Sequence, residues 1–148
     1  MSEIDIDELR KNFGRRLRIG FIGGGRDSVI GGTHLAAMRV DGFFELYAGV
    51  FSIDPTVSEA TARAEFLDAD RVYESFNEMA EKEALREDGI EVVLIAAPPH
   101  IHFEAAKVFL TKGIDVICEK PIAVSREQAS QLDDLAQQHS RLFCLTHC

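Results

Sequence analysis

The sequence predicts a three-layer α/β/α domain built on a doubly wound, mostly parallel sheet of six strands. Three observations point there. Segments of strand and helix character alternate throughout the chain after residue 15, joined by short connections; this is the pattern of right-handed βαβ units. Several strand segments, "EVVLIAA" (91–97) above all, are apolar along their length and suit strands covered on both faces. A glycine-rich stretch, "GGGRDSVIGGTH" (23–34), separates the first strand from its helix.

The elements follow in order. Residues 4–13 read as a short amphipathic helix with Ile4, Ile6 and Leu9 on one side, so residues 1–15 form an extension ahead of a domain at 16–148. Residues 16–23 are the first strand, 35–40 a helix and 44–52 the second strand. A helix at 55–67 opens with Asp54 at the N-cap and Pro55 at the first helical position, the residues preferred at those places. "RVY" (71–73) reads as a short strand, 76–85 as a helix and 91–97 as a buried strand. The helix at 101–112 is closed by Gly113, since a left-handed residue often ends a helix. Residues 115–119 are a strand; the helix at 125–139 starts with Ser125 and Gln128 in capping-box spacing, and 141–147 is the last strand.

Composition narrows the function. The net charge is −9 over 148 residues, so nucleic acid and anionic membranes are not expected as partners, because like charge repels. Any phosphate must be held locally by backbone N–H groups. No apolar run is long enough to span a bilayer, and the acidic N-terminus "MSEIDIDELRKNF" lacks a signal-peptide pattern, so a cytoplasmic location is expected. Three cysteines, Cys118, Cys144 and Cys148, are an odd count without framework spacing and read as free thiols. Strand alternation points His147 away from Cys144 and Cys148, so no metal is expected there.

In a doubly wound sheet the first strand-to-helix turn lies at the carboxyl edge, where a pyrophosphate meets a helix N-terminus. Gly23 and Gly25 supply the first pair of a G-x-G-x-x-G pattern, but Gly31 follows after five residues instead of two. The turn is therefore expected to be enlarged, with Arg26 and Ser28 adding contacts to phosphate or ribose. A P-loop is excluded, because Thr33 stands after Gly32 where a lysine is required. At the end of the second strand, Ser52 occupies the place of the acid that binds the adenosine ribose, with Asp54 two residues on. Asp54 has a simpler use as an N-cap, and the choice between NAD and NADP stays open.

Two further segments reach the same edge, "AAPPHIHF" (96–103) and "CEKPIA" (118–123). With the Gly23–His34 turn before them, they make the chain resemble the glucose–fructose oxidoreductase / inositol dehydrogenase / MocA family over nearly all residues after 15. The resemblance implies a nucleotide-binding Rossmann domain in which Gly23, Gly25 and Gly31 line the pyrophosphate. It places His34 on the first turn of the helix, as a ligand or as a packed side chain. Pro98 and His102 match the family's Thr-Pro-Asn-x-x-His pattern beside the nicotinamide, with Ala97 in place of the threonine and Pro99 in place of the asparagine. It also implies that Glu119 borders the nicotinamide ribose and that Lys120 reaches nicotinamide and substrate carbinol, with Pro121 fixing the adjoining backbone. A lysine suits that place, because an ammonium stabilises the alkoxide that develops as hydride leaves.

The function expected is thus the NAD- or NADP-binding domain of an oxidoreductase acting on a sugar, polyol or related alcohol. The family's second domain, which holds the small-molecule substrate and the homo-oligomer interface, has no counterpart in these residues. Cofactor binding with little turnover, and self-association through the face that domain would cover, are therefore expected. The competing readings are a non-catalytic dinucleotide sensor or partner module, for which Lys120 has no use, and a methyltransferase-like domain, which leaves "PPHIH" and "EKP" unexplained.

Overall fold

The computed structural model describes Glu8, Lys11 and residues 14–147. Glu8 and Lys11 are helical, and the remainder of the expected 4–13 helix lies outside the described residues, as does Cys148. Five strands, β1 (Leu17–Gly23), β2 (Phe44–Val50), β3 (Val92–Ala96), β4 (Asp115–Cys118) and β5 (Phe143–Leu145), form one sheet in the order β2-β1-β3-β4-β5. Every pairing is parallel. The connecting helices are α1 (Val29–Asp41), α2 (Pro55–Ala64), α3 (Phe76–Glu83), α4 (Pro99–Thr111) and α5 (Arg126–Gln138).

The sheet is covered on both faces, as its apolar strands require. Ile19, Phe21, Val92 and Leu94 cluster with Leu35 of α1 and Ala62 of α2. Ile22, Val93, Ile95 and Val116 cluster instead with Met79 of α3, Phe103 and Phe109 of α4 and Leu132 of α5. Alternate residues of one strand thus feed opposite cores, and each fully buried large apolar side chain contributes about 1.5–3 kcal/mol.

Caps end the helices where the sequence places them. Asp54 accepts from the Thr56 N–H with Pro55 at the first turn. Ser125 accepts from the Gln128 N–H, and Gly113 follows α4 with φ +78°.

The expected third strand is a correction. Residues 71–73 make a single parallel bridge, Val72 to Gly49. The segment is confined between a 3-10 turn, Ala69–Arg71, and Ser75, which caps α3. Its two buried side chains, Arg71 and Tyr73, are also engaged by a helix residue. Arg71 Nη1 donates to Glu83 Oε2 at 2.6 Å and Tyr73 OH donates to Glu83 Oε1 at 2.6 Å.

At the amino edge of the sheet, Arg15 holds Glu91 through two bonds of 2.7 and 2.6 Å, and the Arg18 N–H adds a third at 3.1 Å. The Arg15 guanidinium is the main reason that the Glu91 carboxyl titrates at about 2 instead of 4.5. A carboxyl pKa depressed by folding stabilises the fold above the unfolded value and loses that contribution as pH falls through the folded one. The stability gap between wild type and Glu91→Gln is therefore expected at pH 6 and should shrink between pH 4.5 and 2. Urea midpoints at pH 6 and pH 3 check this, and a gap that does not narrow would refute it.

Candidate dinucleotide site

β1 and β3 are adjacent, with Gly23 beside Ala96 at their carboxyl ends. Their helices leave to opposite faces, since α1 packs in one core and α4 in the other. That divergence opens a crevice, the position at which open α/β sheets bind ligands. The crevice is a cleft of about 740 Å³ lined by Gly23, Gly24, Gly25, Ser28, Ser52, Ala97 and Pro98 among others. A volume in this range accommodates a cofactor-sized ligand.

The turn is shorter than the sequence suggests. Helix α1 starts at Val29, six residues before the expected start at Leu35, and takes in Gly31 and Gly32. Ser28 is its N-cap, accepting from the Gly31 N–H at 3.1 Å, so this hydroxyl is engaged in the helix start. The first-turn N–H groups of Val29 and Ile30 have no acceptor among the described residues. They stand at the positive end of α1, where an anion is favoured.

The glycines have separate reasons. Gly23 and Gly24 adopt φ of +75° and +70°, which a side chain disfavours. At Gly25 a Cβ would meet Phe51 O at 3.0 Å and Val57 Cγ1 at 3.2 Å. Gly31 does not face the cleft as a phosphate-lining residue. It sits against the backbone of Gly24, whose Cα would be 2.5 Å from an added Cβ, so its role is close packing of helix on turn. Arg26 is exposed, and its N–H donates to Thr61 Oγ1 at 3.1 Å.

At the other end of the cleft, Ser52 Oγ accepts from the Asp54 N–H at 3.0 Å. The Thr56 hydroxyl and N–H hold the exposed Asp54 carboxyl below its ordinary range. A second cleft of about 860 Å³ shares Ser52, Ile53 and Glu74 with the first and also contains Glu59 and Arg63.

The "EKP" segment, 119–121, follows β4 on the same edge. Glu119 is 6% exposed and points into the protein. Its Oε1 accepts from His34 Nε2 at 2.8 Å and Thr146 Oγ1 at 2.6 Å, and its Oε2 accepts from the Lys120 N–H at 3.2 Å. Burial pushes the carboxyl up, but the bonds from Thr146, His34 and the Lys120 N–H outweigh it and hold it below the ordinary glutamate range. His34 lies on the second turn of α1, not the first. Lys120 and Pro121 are exposed, and the bond between them is cis. His102, 1% exposed, sets Nδ1 2.7 Å from Pro121 O and Nε2 2.8 Å from Ala97 O. Pro98 caps α4, whose first residue is Pro99.

The structure thus gathers the glycine turn, Ser52, Ala97 and Pro98 around one cleft. Gly24, Ile53, Phe76 and Ile101 also line it and were not singled out by the sequence. Phe76 and Ile101 stand on helices whose apolar residues read equally well as core; Gly24 was hidden inside a run of three glycines. Among the described residues, no group of three metal-ligating side chains occurs, and no helix is long and apolar enough to cross a membrane. Burial pushes the Cys118 thiol up to about 12, while Cys144 is exposed on β5; both are free.

Residues 17–147 match the family model described as "Oxidoreductase family, NAD-binding Rossmann fold" of the GFO_IDH_MocA group. The chain is 37% identical over 132 residues to the uncharacterized oxidoreductase YfiI of Bacillus subtilis, covering 88% of this chain and 34% of that protein. It is 30% identical over 124 residues to the rhizopine catabolism protein MocA of Rhizobium meliloti, covering 84% and 35%. Among solved structures, an oxidoreductase from Sinorhizobium meliloti superposes with a TM-score of 0.83 at 44% identity, over 90% of this chain and 37% of that one. An inositol dehydrogenase homolog from Azotobacter vinelandii, complexed with NAD+, superposes with a TM-score of 0.86 at 36% identity, over 89% and 34%. The chain therefore spans about a third of the length of these relatives.

Proposed function

The chain belongs to the Gfo/Idh/MocA oxidoreductase family, in its NAD-binding Rossmann part, and on that premise we propose that it binds NAD(H) in the 740 Å³ cleft and serves hydride transfer to or from an alcohol carbon of a sugar, polyol or related small molecule. The observation that carries this is the start of α1, where the Val29 and Ile30 N–H groups have no acceptor among the described residues and follow directly on the Gly23–Gly25 turn that lines the cleft. A bound nicotinamide supplies the hydride acceptor or donor. This chain supplies the anion cradle at α1 and, through exposed Lys120, an ammonium for the alcohol oxygen. Oxidation of the alcohol would release its hydroxyl proton to solvent water, which reaches the exposed Lys120, and the ammonium would stabilise the alkoxide that develops as the hydride leaves the carbon. The inositol dehydrogenase homolog crystallised with NADH and myo-inositol supports the substrate class.

NAD(H) is favoured over NADP(H) by charge. Glu59 and Glu74 line the cleft that continues past Ser52, Asp54 caps the adjoining helix, and Arg63 is paired with Glu59 at 3.6 Å. A 2′-phosphate would add negative charge beside these carboxylates. Titration with NADH and NADPH, followed by nicotinamide fluorescence, should give saturable binding with NADH tighter by about tenfold or more. Gly25→Asp, which sets a Cβ against Phe51 O and Val57 Cγ1 and adds a negative charge to the turn that lines the cleft, should abolish it. Absence of saturable NADH binding by the wild-type chain would overturn the assignment.

A further inference from the structure

Resting on that reading, we propose that His34, Thr146 and His102 are positioning residues for Lys120. They hold the two residues that flank it. On one side, Glu119 is tied to α1 by His34 and to the end of β5 by Thr146. On the other, Pro121 O lies 2.7 Å from His102 of α4, which also reaches Ala97 at the end of β3. Lys120 itself is exposed, while the groups on either side are anchored by side chains that are largely or wholly buried: His34 is 15% and Glu119 7% exposed as side chains, and His102 is 1% exposed.

This arrangement gives Glu119 a different task from a ribose contact. Its Oε1 receives two donors from inside the protein, and its Oε2 receives the N–H of Lys120. A long lysine side chain gives up rotamer freedom when its ammonium is used at one point. Fixing the backbone at both neighbours limits the further loss to the side chain alone. The anchors also come from the helix that opens on the phosphate turn and from the helix that opens beside Pro98. One rigid frame thus sets the distance between the anion cradle and the ammonium. Outer partners of this kind orient working groups elsewhere in proteins.

The test separates the nicotinamide end of the ligand from the rest. ADP-ribose carries the pyrophosphate and both riboses but lacks the nicotinamide. Thr146→Val and His34→Phe should each weaken NADH about fivefold while changing ADP-ribose affinity less than about twofold, and neither should weaken NADH further in a Lys120→Ala background. Thr146→Ser should restore NADH affinity. Retained ADP-ribose binding shows that each variant folds with its cradle intact. Equal losses for both ligands, no loss for NADH, or a full additional loss in the Lys120→Ala background would overturn the positioning role. Failure of the wild-type chain to bind either ligand would overturn the cleft assignment, and this inference with it.

Discussion

Replacing Glu83 by alanine is expected to destabilise the fold by about 3–5 kcal/mol, the usual loss when one member of a buried ion pair is removed. Glu83 is 1% exposed and sits under the expected but unformed third strand. Its two oxygens receive Arg71 Nη1 at 2.6 Å, Tyr73 OH at 2.6 Å and the Ile90 N–H at 3.1 Å. The Tyr73 hydroxyl is held in its protonated form, its titration raised by burial and then by Glu83. Alanine would leave a buried guanidinium with Asp88 as its remaining carboxylate and would orphan the hydroxyl and the N–H. Glu83→Gln keeps an acceptor oxygen and the shape, so its loss should be smaller. In a chain of this size the alanine variant should melt roughly 10 °C lower. A urea midpoint within error of the wild type would show that Asp88 and water compensate.

The same corner shows why some of the fold could be read from sequence and some could not. β3 carries five consecutive apolar residues, three of them β-branched, and such a run has one use in an α/β domain. The caps at Asp54 and Ser125 act on N–H groups two or three residues away, so local spacing suffices to find them. Residues 71–73 failed because their fate depends on Glu83, ten residues and more downstream. β-Propensity reports a surface that fits, not a partner that exists.

The candidate site divides the same way. That the glycine turn, residues 96–102 and "EKP" meet at one edge follows from strand order alone. The bonds within that edge do not. His34 and Glu119 are 85 residues apart and Thr146 is 27 from Glu119, so the inward turn of the Glu119 carboxylate had no signal in sequence spacing. His102 was placed by its motif, while its span between two carbonyls appears only once the helix is seated. That α1 starts at Val29, ahead of the expected Leu35, has a physical reason. Two adjacent glycines are poor helix formers, and the tight approach that justifies one of them is a tertiary contact.

Those adjacent glycines should respond to the same substitution with opposite signs. At Gly32, an added Cβ meets nothing within 4 Å. Gly32→Ala should stabilise the chain by up to about 1 kcal/mol, the ordinary gain for alanine in a helix, and leave NADH affinity unchanged. At Gly31 the same methyl would stand 2.5 Å from the Cα of Gly24, against backbone that cannot rotate aside. Helix α1 must then move off the turn, and Gly31→Ala should destabilise by about 2–3 kcal/mol, typical of overpacking. The displacement carries the Val29 and Ile30 N–H groups away from the Gly23–Gly25 backbone. NADH and ADP-ribose affinities should therefore fall together, by about tenfold or more. This joint loss distinguishes damage to the anion cradle from damage at Lys120, which should spare ADP-ribose. Denaturation and NADH titration of the two alanine variants side by side decide the matter. Equal behaviour at the two positions would mean that the helix does not rest on the turn at Gly31, and the cradle would lose its geometric basis.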